Sequence, residues 1–168
     1  MGIDPSLTCT GVSVWGETSS IRTNLRGVER LVAVREMLMN AIGEGNIVAV
    51  AIEGYSFSSR NSHAHSLGEL GGVIRVALYE RGIPFLEVAP TVRAKFATGK
   101  GNAGKAEVVS AISAMTGVVW SGADGADRCD AWIIEQVLLA KLGESPYPWS
   151  KQQLEALNKV EWGGTAGE

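Results

Sequence analysis

The sequence predicts an α/β fold, a three-layer α/β/α domain built on a five-stranded mixed sheet. Three features support this prediction: the opening residues alternate between polar and apolar, two later runs are rich in apolar residues, and the segments around those runs have helical periodicity. At 168 residues, the chain is long enough for one domain with a buried core. We expect that domain at residues 1–143 and a partly helical C-terminal extension with a frayed end at 144–168.

The first half of the chain is predicted to open with a meander of strands and to continue with a helix and a central strand. The predicted elements are, in order, a strand that ends at Asp4, strands at 11–15 and 20–23 with a turn at 16–19, a helix at 28–42 and a strand at 47–52. Gly43 and Gly45 supply the end of the helix. The strand at 47–52 is apolar on both faces, so we expect helices to cover it on either side.

The second half is predicted to alternate helices with one further strand. The predicted elements are a helix at 64–81, a strand at 83–88, a loop at 99–104, helices at 106–115 and 127–142, and a terminal helix at 152–160. Gly82 closes the first of these helices and Pro90 ends the strand.

Hydropathy and cysteine content exclude several classes of protein. No apolar run reaches the roughly 18 residues that a membrane span requires, so we expect no membrane association and a cytoplasmic location. Cys9 and Cys129 are too few for a disulfide scaffold and lack zinc-ligand spacing. We therefore expect two reduced thiols that serve as packing residues.

The charge of the chain is unevenly distributed. The formal net charge is −3, which by itself does not favour binding to nucleic acid. Residues 88–106, however, contain four basic side chains and no acid. Those basic residues are Arg93, Lys95, Lys100 and Lys105. A local basic stripe of this kind is compatible with contacts to a DNA backbone.

Four carboxylates occupy positions that favour chemistry over packing. Asp4 and Glu53 each directly follow an apolar strand, where an unpaired buried charge is costly. If those strands are adjacent and parallel, both acids emerge at the same edge of the sheet. Asp127 and Asp130 are three residues apart and project from one face of a helix. Taken alone, helix capping explains that second pair equally well, but together with the first pair it predicts a shared cation site.

The expected ligands are all hard oxygen donors, which select Mg²⁺, with Mn²⁺ as a substitute, over zinc or copper. Two such ions can clamp a phosphodiester, one activating water for in-line attack and the other stabilising the leaving oxygen. The residues therefore predict a metal-dependent nuclease that hydrolyses phosphodiesters.

Four short motifs in order resemble those of the RuvC family of Holliday junction resolvases, over roughly residues 1–142. They are Gly-Ile-Asp-Pro-Ser at 2–6 with Thr-Gly at 10–11, Ala-Ile-Glu at 51–53, Gly-Asn-Ala-Gly-Lys at 101–105, and Ala-Asp-Arg-Cys-Asp-Ala at 126–131. The resemblance implies a ribonuclease H-like fold, a homodimer with two active sites, magnesium dependence, and symmetric nicking of a four-way DNA junction. A branch-migration motor is a further candidate partner.

The resemblance assigns roles to individual residues. The catalytic, metal-binding carboxylates would be Asp4, Glu53, Asp127 and Asp130, and Lys105 would lie near the scissile phosphate. Two further positions depart from the family pattern. Ala94 stands where a basic residue is usual, so its basic neighbours are expected to contact phosphate. Ser56 stands where an aromatic residue that wedges into the junction is usual, so an adjacent aromatic residue is expected to stack on a base. The predicted DNA contacts are Tyr55, Phe57, Arg60, Arg93, Lys95, Lys100 and Lys105.

Other functions compete with a junction resolvase. A broader structure-specific nuclease, acting on forks, flaps or replication intermediates, would use the same acids. An actin-like ATPase or sugar kinase also opens with Gly-x-Asp, but it normally needs a second large domain. A non-catalytic junction-binding module is less favoured, because four converging acids repel DNA phosphates.

Overall fold

The computed structural model of the chain describes residues 1–54 and 62–163, apart from the side chains of residues 62 and 63. The strands of this described part are β1 (Gly2–Asp4), β2 (Thr10–Val14), β3 (Glu17–Ile21), β4 (Val50–Glu53), β5 (Phe85–Val88) and β6 (Glu161–Gly163). The helices are α1 (Gly27–Glu44), α2 (Ser62–Glu80), α3 (Pro90–Thr98), α4 (Lys105–Thr116), α5 (Gly125–Leu142) and α6 (Lys151–Leu154), with a 3₁₀ helix at Glu155–Lys159.

The strands form one mixed sheet in the order β3-β2-β1-β4-β5-β6. β1 pairs antiparallel with β2 and parallel with β4, and β4 pairs parallel with β5. The condition for Asp4 and Glu53 to emerge together, that their strands are parallel neighbours, is therefore met. Because both strands run in the same direction, their carboxyl ends lie at one edge of the sheet.

The predicted number of five strands was wrong, because the described residues form six. The additional strand, β6, pairs antiparallel with β5 and so extends the sheet at its edge. Its three residues are too few to show the alternation by which a strand is recognised in a sequence. The position of β6 is set by tertiary packing, since the preceding residue, Val160, is buried in the core.

The turn of the opening hairpin was also predicted wrongly at 16–19. β3 begins at Glu17, and the turn consists of Trp15 and Gly16, with φ angles of 54° and 83°. Two consecutive residues with positive φ form the tight turn that matches the twist of paired strands. A bulky residue such as Trp15 rarely adopts this conformation, so the sequence did not indicate the turn.

Helix α3 was absent from the prediction because Pro90 was interpreted only as the end of a strand. Pro90 is the first residue of α3, a position where the missing N–H costs no hydrogen bond. This helix carries Arg93 and Lys95. The central strand also begins later than predicted, at Val50, because residue 47 donates its backbone N–H to Ile42 and completes the end of α1.

The sheet separates two hydrophobic cores, as the three-layer prediction requires. One core lies between one face of the sheet and helices α1 and α2. The other lies between the opposite face and helices α3, α4 and α5. Trp149, Ala156 and Val160 of the C-terminal segment belong to this second core. The predicted division of the chain at residue 143 stays a prediction.

Two glycines allow α5 to lie unusually close to the sheet. A Cβ atom at Gly2 would lie 2.2 Å from the carbonyl oxygen of Ala131, and one at Gly11 would lie 2.2 Å from that of Asp127. Any side chain at either position would push the helix away from β1 and β2. The glycines therefore set the height at which Asp127 and Asp130 approach the ends of the strands.

Two smaller expectations can be compared with the structure. Cys9 and Cys129 are both buried and unpaired, which confirms their interpretation as packing thiols. None of the helices in the described ranges has the length and apolar character of a membrane span.

Candidate active site

The carboxyl ends of β1 and β4 open into a cleft of about 430 Å³. Ile3 pairs with Ile52, so Asp4 and Glu53, the next residue of each strand, enter the cleft side by side. The acids of α5 reach the same cleft from the adjoining layer. The charged side chains that line it are Asp4, Glu53, Arg93, Lys105, Asp127 and Asp130. The structure thus brings the four predicted carboxylates and the predicted lysine together.

A tight loop directly follows Asp4 at the end of β1. The Thr10 hydroxyl donates to the backbone carbonyl of Ser6 at 3.0 Å and accepts from the backbone N–H of Ser6 at 3.2 Å. These two bonds close the loop between β1 and β2, and Thr10 itself is fully buried. The Thr-Gly pair of the first motif therefore has a structural role, since Thr10 closes the loop and Gly11 admits the helix.

Arg93 lies between acids that come from different elements. Its Nε donates to Glu53 Oε1 at 2.8 Å, and its Nη1 makes an ion pair with Asp130 Oδ1. The side chain of Arg93 is only 15% exposed. Arg93 was predicted to contact DNA phosphate; its place among the carboxylates was not foreseen.

Lys105 lies at the rim of the cleft, at the first residue of α4. Its Nζ donates to Asp127 Oδ1 at 3.1 Å and lies 3.8 Å from Asp130 Oδ2. The side chain is 56% exposed, so its ammonium group is accessible from solvent. A cation at a helix N-terminus is unfavourable to the helix dipole, and the two aspartates offset this cost.

Burial of acids close to one another raises their proton affinity. The pKa of Asp4 lies well above its usual range, mainly because the carboxyl group is buried and also because Glu53 and Asp130 are near. Burial raises the pKa of Asp130 to about 6, and the charges of Arg93 and Lys105 oppose this rise. Ionised acids in such a place require cations, and the site therefore has the electrostatics of a cation-binding centre.

The donor set fits a hard divalent ion, since four carboxylates from three elements face one cleft. Within the described ranges, no group of three or more His, Cys, Asp or Glu side chains is arranged to hold a metal as it stands. Arg93 and Lys105 form ion pairs with oxygens of Glu53, Asp127 and Asp130. These acids could hold an ion once the basic side chains release them.

The other predicted contact residues lie elsewhere. Lys95 pairs with Glu155 at 3.2 Å, and Lys100 pairs with Glu107 at 3.2 Å, so neither lines the cleft. Their proposed contacts to DNA stay predictions. Tyr55, Phe57 and Arg60 lie outside the described residues.

The sequence predicts that Asp124, one turn before Asp127, is a helix cap rather than a metal ligand, and it does not line the cleft. It occupies the N-cap position of α5, but its side chain makes no capping hydrogen bond. Instead, Asp124 accepts a 2.8 Å hydrogen bond from the Ser20 hydroxyl and pairs with Arg22 and Arg128. This acid therefore fastens α5 to β3.

Two charged residues that stabilise the elements around the site were not predicted from the sequence. Arg75 pairs with Glu87 at 2.8 Å and donates to the backbone carbonyl of Glu53 at 3.5 Å. Glu135 is buried in α5 and accepts hydrogen bonds from Ser13 and from the turn of the hairpin. Each is an isolated charge within an apolar stretch of helix, and this pattern was the available signal.

The sequence that carries these cleft residues matches the model of a known protein family. The family model described as crossover junction endodeoxyribonuclease RuvC matches residues 1–135, a range that contains all four acids, Arg93 and Lys105. The chain belongs to the RuvC family. RuvC of Ruegeria pomeroyi is 28% identical over 141 residues, which cover 76% of this chain and 84% of that protein. RuvC of Thermus thermophilus is 25% identical over 131 residues, which cover 70% of this chain and 79% of that protein.

Solved RuvC structures share the fold. T. thermophilus RuvC in complex with a Holliday junction substrate superposes with a TM-score of 0.67 at 24% identity, covering 88% of this chain and 97% of that one. A second T. thermophilus RuvC structure gives a TM-score of 0.66 at 23% identity, covering 88% and 98%. At these identities the similarity establishes a RuvC-like α/β fold.

Proposed function

We propose that this RuvC-family member is a metal-dependent endonuclease that resolves four-way DNA junctions by symmetric, paired nicking. The observation that carries the proposal is the convergence of Asp4, Glu53, Asp127 and Asp130 on one cleft at the ends of β1 and β4. The relatives named crossover junction endodeoxyribonuclease support the substrate class. The T. thermophilus RuvC that shares the fold was solved in complex with a Holliday junction substrate, which adds to this support.

Each residue in the cleft has a proposed task. When bound, Mg²⁺ or Mn²⁺ supplies Lewis-acid activation of water and neutralises charge on the phosphodiester. The four carboxylates would hold the ions, and the burial of Asp4 and Asp130 limits the access of bulk water to their oxygens. Lys105, at the exposed rim, would donate to a non-bridging phosphate oxygen and position the strand for attack.

A broader structure-specific nuclease is the second candidate. Ser56 stands at the position where the family resemblance places an aromatic wedge, and this departure weakens the basis for strict selection of four-way junctions. The chemistry at the acids would be the same for forks and flaps. The two candidates therefore differ only in substrate selection.

A denaturing gel tests both candidates. Four-way junctions with one labelled strand at a time, 5′ flaps and linear duplexes are incubated with the chain and Mg²⁺, in parallel with Asp4→Asn. We expect paired nicks at symmetric positions in opposed strands of the junction, and no product with Asp4→Asn. Equal rates on all substrates would favour the broader nuclease, and equal activity of Asp4→Asn would overturn the assignment of the site.

The proposal includes a homodimer, since paired nicks need two active sites. Helix α2 supports this part, because Val76 and Tyr79 are 57% and 60% exposed and lie on one face of the helix with Gly72. A Cβ atom at Gly72 would meet no neighbouring atom, so this face is open to close approach by another helix. The ribonuclease H-like classification, the branch-migration motor and the cytoplasmic location stay predictions.

A further inference from the structure

Arg93 lies between two of the carboxylates that would hold a metal ion. Its guanidinium contacts Glu53 Oε1 through Nε and Asp130 Oδ1 through Nη1, and so bridges β4 and α5. We propose that Arg93 is an internal counter-ion that competes with divalent metal for these oxygens and leaves them when metal binds. The inference rests on the proposed metal-dependent function.

The competition follows from the geometry of the donors. A carboxylate oxygen that accepts a hydrogen bond from a guanidinium cannot offer the same lone pair to an ion of about 2 Å bond length. Glu53 and Asp130 are largely buried, with 18% and 3% of their side chains exposed. When ionised, they therefore need a cation, and Arg93 provides one that is covalently part of the fold.

Lys105 and Arg93, the basic residues that line the described part of the cleft, differ in how easily they can leave the carboxylates. Lys105 is 56% exposed and lies at the rim, so its ammonium group can move into water at little cost. Arg93 is 15% exposed and contacts acids of two elements, so its release requires a compensating charge. A bound metal ion would supply that charge. The position of the Arg93 side chain would therefore show whether the metal site is occupied.

The released guanidinium remains at the cleft, because its backbone is fixed in the first turns of α3. A guanidinium presents paired N–H donors that match two phosphate oxygens. Arg93 would thus exchange carboxylate partners for a DNA phosphate only after the metal has bound. The exchange would connect metal loading to engagement of the strand.

The competition predicts the sign of a change in metal affinity. Removal of the guanidinium in Arg93→Gln should tighten Mn²⁺ binding by roughly five- to tenfold, the scale of ordinary coupling between sites. In chelator, the same variant should melt at a lower temperature than the wild type, since its acids lose their counter-ion. The rise in melting temperature on adding Mn²⁺ should be larger in Arg93→Gln than in the wild type.

The experiment is titration calorimetry with Mn²⁺, combined with melting curves in chelator and in Mn²⁺, on the full chain. Arg35→Gln is the matched control, because Arg35 forms an exposed pair with Glu36 at 3.6 Å on α1, away from the cleft. We expect no change of Mn²⁺ affinity in that control. Should Arg93→Gln not fold in chelator, Arg93→Lys tests the same sign, since lysine keeps the charge without the two-acid bridge.

The outcomes separate this inference from the proposed function. If the wild type binds Mn²⁺ more tightly than Asp4→Asn but Arg93→Gln and Arg93→Lys bind it no more tightly than the wild type, the competition is overturned and the function stands. Weaker binding by the Arg93 variants would show instead that Arg93 positions the acids for the metal. If the wild type binds Mn²⁺ no better than Asp4→Asn, the metal-dependent function is overturned together with the competition.

Discussion

Asp4 and Glu53 directly follow Ile3 and Ile52, which pair with each other in neighbouring parallel strands. This register places two carboxyl groups side by side at the end of the sheet, in a largely buried position. Burial raises the pKa of Asp4 well above its usual range, and the negative charge of Glu53 adds to the effect. The pair is therefore stable as two anions only in the presence of cations.

Replacement of Asp4 by asparagine should abolish cleavage and preserve or strengthen binding to a four-way junction, because one repulsive charge is removed. In chelator near pH 7, Asp4→Asn should also be more stable than the wild type, by on the order of 1 kcal/mol. For a chain of this length that is about 2–4 °C in melting temperature. Melting curves and gel-shift titrations measure the two effects.

Asp124→Asn is the control for that replacement. Asp124 is close in sequence to the α5 acids but bonds to Ser20 outside the cleft, so cleavage should persist in this variant. Loss of cleavage in both variants, or a metal-free Asp4→Asn protein that melts well below the wild type, would contradict the assignment of Asp4.

The pH dependence of cleavage should follow the protonation of the site. Metal binding needs ionised carboxylates, and the pKa of Asp130 is about 6. The cleavage rate at fixed, subsaturating Mg²⁺ should therefore fall as the pH decreases through about 6, and added Mg²⁺ should partly restore it. A rate that stays constant from pH 7.5 to 5.5 would be inconsistent with this view.

Stability without metal should change in the opposite direction. Because the pKa values of Asp4 and Asp130 are raised by folding, their protonated forms stabilise the folded state. This contribution is complete below the unfolded values near 4 and is lost as the pH rises through the folded values. In chelator, the contribution of these two groups to the melting temperature should thus become smaller as the pH rises from 5 to 7. This change with pH should be weaker in Asp130→Asn than in the wild type.

Lys105→Ala should slow cleavage by at least about tenfold, because the variant loses the ammonium group at the exposed rim of the cleft, which would contact the phosphate. The slope of log affinity against log salt concentration should become shallower by about 1, as for one lost phosphate contact. Lys141→Ala is the control, since Lys141 bonds to the carbonyl of Leu157 at 3.1 Å, outside the cleft. Equal rates for Lys105→Ala and the wild type would remove Lys105 from the site.

The acids could be predicted from the sequence because their positions follow from local rules. Asp4 and Glu53 end apolar strands, so parallel pairing of those strands brings them together, and Asp127 and Asp130 share one face of a helix. The place of Lys105 in the site could be predicted because this lysine ends the motif at 101–105.

The role of Arg93 could not be predicted in the same way. Its direction depends on α3, which begins at a proline that in the sequence indicates only the end of a strand. Two other elements likewise depend on tertiary partners. Strand β6 pairs with the edge of β5, and the Trp15–Gly16 turn donates hydrogen bonds to Glu135. Local propensity carries no information about such long-range contacts.

Glu135 should contribute strongly to stability, although it does not line the cleft. Its carboxylate accepts hydrogen bonds from the Ser13 hydroxyl at 2.6 Å and from the backbone N–H groups of Trp15 and Gly16 at 2.8 and 2.9 Å. Glu135→Ala should cost on the order of 2–4 kcal/mol, because the buried Ser13 hydroxyl and two partly buried backbone N–H groups lose a charged acceptor. Denaturant unfolding measures the loss, and the exposed Glu144→Ala should stay within about 0.5 kcal/mol of the wild type. Equal stability of the two variants would contradict this role.

The proposed dimer should depend on the exposed face of α2. Tyr79→Asp places a charge on that face and should convert a particle of twice the 17.7 kDa chain mass into a monomer, as measured by light scattering. Nicks in opposed strands should then become independent, so that singly nicked junctions accumulate. Val119→Asp is the control, because Val119 is also exposed but lies between α4 and α5, away from this helix. A wild-type monomer, or an unchanged dimer in Tyr79→Asp, would show that α2 does not form the interface.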